Sequence, residues 1–496
     1  FNKEQFIQQV TEIQASPAVV SLSLVHNRFA QQLNEDEDAE GNLYFISDFQ
    51  RTVTDPENFD DAEIFNYFLP LIPNQVNNLY IDSSWVEVPA HQLNQEENIL
   101  VRIKNNSGED YQNLPLKLYL NDSLKSITNF SVAAENEITA SLKYTNASAG
   151  IQLGKIEITD YPFTHDNNWY ISYHVEPKLN ALAIYDDNEE LAQGLGYISA
   201  LFENDDYIEL DKMSVKSLKI SSLSEYNAIF LVNPSSFSSG FLNELSQIVA
   251  NGTSVVLFPG MENQQLNNLL SQFNAALITG IDTTTQKISG IDFDNRFYED
   301  VFEKREENPV LPEIKGHYKF RENTRTPETN LLWFQNGDKA LSTLPFGEGN
   351  VWVFSFPLTE ENESFARDIL FVPTLYNIVL SSLPRQDISY TVGKDFSVTI
   401  PESEEINLGE KIEIVHPEND ERFIPEKSVT DQGVRIEFEE AIESDGHFLV
   451  QSDEETVAAL AFNYDRQESD LRYFVSGELE EKAENQNLEN TTVIEN

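Results

Sequence analysis

Residues 181–185 read ALAIY, residues 227–232 NAIFLV and residues 254–258 SVVLF. Each run is continuous rather than alternating and rich in aliphatic side chains, as a strand must be when helices cover both faces of its sheet. A helical spacing follows each run: Leu191, Leu195, Ile198 and Phe202 after the first; Phe241, Leu242, Leu245, Ile248 and Val249 after the second; Leu266, Leu269, Leu270 and Phe273 after the third. Ser238 or Ser239 suits an N-cap and Gly252 a stop. The repeated β-α order predicts a parallel sheet with right-handed crossovers.

Sites in open parallel sheets form at the carboxyl ends of the strands. Here those ends are Asp186-Asp187-Asn188, Asn233-Pro234-Ser235-Ser236 and Phe258-Pro259-Gly260-Met261. The last resembles the turn on which class I glutamine amidotransferase-like domains carry a cysteine backed by a later histidine. The chain has no cysteine, and no G-x-S-x-G elbow substitutes a serine. Pro259 lacks a backbone N–H for an oxyanion pocket, and Pro357-Leu358-Thr359, after VWVFSF, contains no histidine. Glu262 reads as a helix-start carboxylate. A serine from positions 235–239 lacks a base, so the turn is expected to be catalytically inert.

Working outward, residues 1–72 hold two amphipathic helical patterns (Phe6, Ile7, Val10, Ile13; Leu22, Val25, Phe29, Leu33) and two strand-like runs, LYFIS at 43–47 and IFNYFL at 64–69. Two helices and two strands cannot cover both faces of a parallel sheet, so further strands are expected upstream or on a partner, or else an exposed apolar edge. Residues 73–178 change to period two (Ile99, Val101, Ile103; Leu116, Leu118, Leu120; Trp169, Ile171, Tyr173), the pattern of an immunoglobulin-like β-sandwich. Residues 179–385 form the α/β unit, in which 280–335 reads as an irregular charged insertion. ALSTLPF and VWVFSF, joined by Gly347-Glu348-Gly349-Asn350, read as a hairpin. Residues 386–475 alternate again (Phe396, Val398, Ile400; Val434, Ile436, Phe438), giving a second small β-domain. Residues 476–496 read as an acidic tail or linker.

The 496 residues carry 84 acidic and 32 basic side chains, a net charge of -52. That field repels nucleic acid and anionic lipid. Without cysteine there are no disulfides, zinc-thiolate sites or iron-sulfur clusters. Asp36, Asp38, Glu40 and Gly41 mimic the start of an EF-hand loop, but Ser47 stands where the bidentate Glu is needed. His26, His91, His165, His174, His317, His416 and His447 show no H-x-x-x-H or H-x-H spacing. The acidic clusters at 186–190 and 402–405 could pair as acid and base, but suit a hydrated acidic surface as well. The sequon Asn146-Ala147-Ser148 carries little weight.

SPAVVSLSLV (16–25), YFISDFQ (44–50), ITDYPFTHDNNWYISYHV (158–175), FVPTLYNIV (371–379) and AFNYDRQESDLRYF (461–474) together resemble the BatA-type, aerotolerance-related membrane proteins of Bacteroidetes. The resemblance runs through nearly the whole chain. It implies a von Willebrand factor A-like domain whose C-terminal part is residues 1–72, the β-sandwich, and an amidotransferase-like domain at 179–385. It also implies tethering to the inner membrane, with the domains facing the periplasm, through anchors absent from this chain. In the von Willebrand type a metal sits among an Asp-x-Ser-x-Ser loop, a threonine and a later aspartate. Asp48 matches that last carboxylate, but SPAVVSLS departs from the threonine loop, and one carboxylate does not hold Mg²⁺. The expected fold is therefore multidomain α/β plus all-β, with a parallel-sheet amidotransferase-like domain flanked by two β-domains. The expected function is that of a non-enzymatic scaffold acting through a protein partner, without nucleic acid, cofactor, catalytic residues or metal. A carboxylate-based hydrolase and a metal-dependent adhesion module are the rival readings.

Overall fold

The computed structural model describes residues 3, 7, 10, 11, 19–33, 41–59, 64–71, 77–86, 91–187, 189–260, 263–293, 295–299, 311–321, 327–383, 387–400, 411–418, 421–430, 433–438, 442–453, 455–486, 488 and 490–494. At its centre lies a nine-stranded sheet. The spatial order is Ile208–Ser214, Leu179–Tyr185, Ala228–Val232, Ser254–Phe258, Gly349–Phe354, Lys339–Phe346, Thr329–Phe334, Ile278–Ile291, Glu313–Phe320. The three opening runs lie side by side and in parallel; with Ile208–Ser214 and Gly349–Phe354 they make the parallel part, five strands of the nine. From Gly349–Phe354 onward every pairing is antiparallel.

The expectation of a parallel-sheet amidotransferase-like domain is therefore corrected: the sheet is mixed, and the described residues are dominated by strands, most of them in antiparallel sheets. The cause is residues 280–335. Their polar alternation, as in Thr283-Thr284-Thr285-Gln286-Lys287, hides three strands that lengthen the sheet instead of interrupting it. Antiparallel strands tolerate one solvated face, so such a stretch need not be apolar throughout.

Two apolar layers hold this sheet. One packs Ile198, Phe202, Leu375 and Ile378 from helices Glu189–Phe202 and Phe371–Leu380 onto Ala183, Phe230 and Phe354. The other packs Phe241, Leu245, Leu266 and Leu269 from helices Ser239–Ala250 and Asn263–Gln272 onto Ile184, Ile229 and Leu257. Ser238 caps Ser239–Ala250, its hydroxyl accepting from the Phe241 N–H.

Residues 79–175 form a two-sheet sandwich. Leu79–Val86, Glu96–Asn105 and Asn136–Thr145 face Ser123–Val132, Tyr111–Leu120, Gly150–Glu157 and Asn168–Val175, with every second side chain (Ile99, Val101, Ile103; Leu116, Leu118, Leu120) in the core. A five-stranded and a three-stranded sheet spanning Tyr390 to Asn463 make the second β-unit, around Ile414, Ile436, Phe448 and Phe462.

The two chain ends build one unit together. Gly41–Ser47 and Ile64–Pro70 pair in parallel, and Thr491–Val493 adds a third parallel strand beside the second. Helices Leu22–Leu33 and Ser476–Asn485 cover the inner face, where Leu22, Phe45, Phe49, Phe68 and Leu479 meet. Residues 476–496, read from their composition as a tail, thus supply a helix and a strand.

Candidate interaction surface

The strand ends of the central sheet are filled by the chain itself. Asn233 is fully buried at φ 44°. Its Nδ2 donates to the Leu358 carbonyl at 2.7 Å, and its Oδ1 accepts from the Leu358 N–H at 2.9 Å. A β-carbon on Gly260 would come within 2.5 Å of the Asn233 carbonyl carbon, so only glycine fits there. Ser235 donates to Asp186 at an exposed position, and Lys216 pairs with Asp187 at 3.1 Å. The Ser214 hydroxyl and then Lys216 hold the Asp187 carboxyl below its ordinary range. Met261, Glu262, Asn188 and residues 402–405 lie outside the described residues, as do positions 36–40 of the EF-hand-like stretch.

The histidines stand elsewhere. His26 stacks on Phe59. His91 contacts Glu97 at 2.8 Å and stacks on Tyr173. His165 and His174 lie beside Asp166 and Glu176. His416 accepts from the Glu418 N–H. His447 reaches the carbonyls of Gly154 and Ile171 at 3.0 and 3.1 Å, and burial pulls its pKa down. Asn146 is buried, its Nδ2 donating to Glu97 at 2.7 Å. Asp48 accepts from its neighbour Ser47 at 3.3 Å. Among the described residues, His317 is the histidine that meets two carboxylates: it, Asp282 and Asp338 present ligand-type atoms within 4.8 Å of one another. Sequence spacing could not reveal this trio, because its members come from two strands and a turn.

The end-to-end unit carries a different kind of feature. Its inner face is covered by two helices, while the outer face exposes Tyr44 (56%), Ile46 (66%) and Phe65 (41%), with Tyr67 stacked on Tyr44 at 4.6 Å. Leu71 and Ile494 extend the patch. Parallel strands are normally covered on both faces; among the described residues Tyr44, Ile46 and Phe65 stay exposed.

This unit is fixed to the others by residues 463–478. Arg466, almost fully buried, donates from Nε to the Ile81 carbonyl at 2.8 Å and from Nη2 to the Asn168 carbonyl at 2.6 Å. Asn463 bonds both main-chain groups of Tyr170. On the other side, the Arg51 N–H donates to the Arg472 carbonyl at 2.8 Å, the Phe474 N–H to the Phe49 carbonyl at 2.9 Å, and Thr52 Oγ1 to the Gln467 carbonyl at 2.9 Å. A cavity of about 290 Å³ at this seam has its charges already matched, Lys104 with Asp82 at 2.7 Å and Lys394 with Asp465 at 2.6 Å.

No protein-family model matches the chain, and no curated protein matches it. Among solved structures it is similar to a cytoplasmic protein from Salmonella typhimurium LT2, at 14% identity and TM-score 0.33, covering 40% of this chain and 98% of that one. A ThuA-like protein from Bacteroides uniformis matches at 15% identity and TM-score 0.33, covering 44% and 95%. The CARDB domain of a Pyrococcus furiosus protein, in complex with di-metal ions, matches at 14% identity and TM-score 0.19, covering 21% and 96%. At these TM-scores the likeness carries no argument for an activity.

Proposed function

We propose that the chain is a non-enzymatic interaction protein, tethered to the inner membrane and facing the periplasm as its resemblance to the BatA-type proteins implies. It acts through a second protein docked on the outer face of Tyr44, Ile46 and Phe65. The uncovered apolar face of a parallel sheet is the observation that carries this reading. The occupant is a different protein and not another copy. With a net charge of -52, two copies repel, whereas a partner with an apolar centre and a basic rim gains from that field. The strap at 463–478 supports the scaffold role, because it holds the docking unit rigidly to the sandwich.

A photo-crosslinking side chain at Ile46 in the full-length protein, in native membranes, tests the proposal. The same probe at Val429, 81% exposed in the second β-unit, is the control. One heterologous partner trapped at Ile46, absent at Val429 and lost in the Tyr44→Ser/Phe65→Ser background, is the expected result. Cross-links between copies only, cross-links within the chain to the part of the von Willebrand-like domain that the resemblance places upstream, or equal labelling at both positions, would overturn it.

A further inference from the structure

We propose that Asp282, His317 and Asp338 form a binding site for a divalent transition-metal ion, Zn²⁺ by preference, that clamps the antiparallel edge of the central sheet. Asp282 and His317 are direct partners across strands Ile278–Ile291 and Glu313–Phe320. Asp338 enters from the turn before Lys339–Phe346. Each donor is held by something other than the prospective ion. The Asp282 Oδ1 accepts from the Thr284 N–H at 2.9 Å and hydroxyl at 2.7 Å. The Asp338 N–H donates to the Asn336 Oδ1 at 3.0 Å, and the Asn336 Nδ2 donates back to Asp338 Oδ2 at 2.8 Å. Gly337 at φ 89° lets that turn close. The His317 ring is fully buried and lies 4.4 Å from the Phe334 ring. Outer hydrogen bonds of this kind orient the two carboxylates before an ion arrives, whereas the His317 ring is held by burial and by Phe334, its Nδ1 having no hydrogen-bond partner among the described residues.

The spacing suits a metal. His317 Nε2 and Asp338 Oδ2 are in hydrogen-bond contact at 2.8 Å; a tetrahedral ion with bonds of about 2.0–2.2 Å sets adjacent donors roughly 3.3–3.6 Å apart, so the pair need open by only about half an ångström when the ion replaces the shared proton. One imidazole and two carboxylates make a borderline-hard set that suits Zn²⁺ and leaves a coordination position for water.

The alternative cation is Lys319, whose Nζ stands 3.6 Å from Asp282 and 3.9 Å from Asp338. Both distances exceed hydrogen-bond reach, and the side chain is 46% exposed. Its hold on two converging carboxylates is correspondingly weak. An ion entering between them returns the ammonium to water. The bound ion joins two strands and a turn at the open edge of the sheet, and stabilises the fold by mass action.

Calorimetric titration of the chelator-stripped full chain with ZnCl₂, and Co²⁺ substitution read by visible absorption, test the site. One equivalent is expected to bind, with a Co²⁺ spectrum indicating nitrogen and oxygen donors. His317→Gln and Asp282→Asn are each expected to weaken binding by about 100-fold or more, beyond the ~10–100-fold of lost outer partners. Lys319→Met removes the competitor and is expected to tighten binding several-fold, a gain that misfolding cannot produce. Absence of stoichiometric binding in both the native chain and Lys319→Met, or binding unchanged by His317→Gln, would overturn the proposal. Ca²⁺ and Mg²⁺ titrations distinguish diffuse binding to the acidic surface, which also counts against it.

Discussion

Asn233→Ala is expected to open the carboxyl ends of the central strands. The side chain is fully buried and makes two hydrogen bonds to the main chain of Leu358, at 2.7 and 2.9 Å. Alanine removes both partners at once, and each buried group left unpaired costs about 1–3 kcal/mol. The φ of 44° at this position adds roughly 1–2 kcal/mol for a residue with a β-carbon and no local hydrogen bond. Close to 4 kcal/mol is a reasonable central figure, which is about three decades in the equilibrium of local opening. Hydrogen exchange is the suitable assay, because a multidomain chain has no single unfolding free energy. The Leu358 amide and strands Ala228–Val232 and Ser254–Phe258 should exchange faster by about that factor, while the sandwich stays unchanged. Asn233→Gly keeps the hydrogen-bond loss but removes the backbone strain, so it should be milder by roughly 1 kcal/mol. Exchange within tenfold of the native rate for Asn233→Ala, or a glycine variant as damaging as alanine, refutes the account.

His447 joins the second β-unit to the carbonyls of Gly154 and Ile171, and burial depresses its pKa. The unfolded chain therefore binds the proton more readily, so this contribution is complete above the ordinary histidine value of about 6.5 and is lost as pH falls below it. Exchange protection at 150–157 and 446–452 should drop between pH 7 and pH 5, and His447→Gln should flatten that dependence. Glu328→Ala strands the buried Lys339 ammonium, with Ser342 and the Ala276 N–H losing the same acceptor, and should cost about 3–5 kcal/mol by hydrogen exchange of 329–346. Glu328→Leu combined with Lys339→Met should recover most of it, since no charge is then left buried. Deleting 488–496 removes the third strand of the end-to-end unit and should raise exchange at 64–70 while leaving the central sheet untouched.

What the sequence reveals follows from where apolar side chains fall. ALAIY, NAIFLV and SVVLF sit under helices on both faces, so continuous hydrophobicity marks them as strands. The sandwich is equally readable, because Ile99, Val101 and Ile103 alternate with solvated neighbours. Ile278–Ile291 escapes the same inspection. Its residues 282–287 hold no aliphatic side chain, and one buried position, Ile288, supplies most of the apolar anchoring in its second half. Asp282, His317 and Asp338 meet only through the pairing that this strand makes, so the trio is invisible wherever the strand is.

The most informative misreading is at the C-terminus. Ser476–Asn485 has a polar composition and buries just Leu479 and Ala483. Thr491–Val493 is three residues long. Neither would persist alone, since short helices and isolated strands are marginal in water. They are ordered by a surface that the other end of the chain supplies: Phe45, Phe49 and Phe68 receive Leu479, and Ile64–Pro70 offers a free edge for parallel pairing. Local pattern records what a segment can bury by itself, whereas this closure depends on residues more than four hundred positions away.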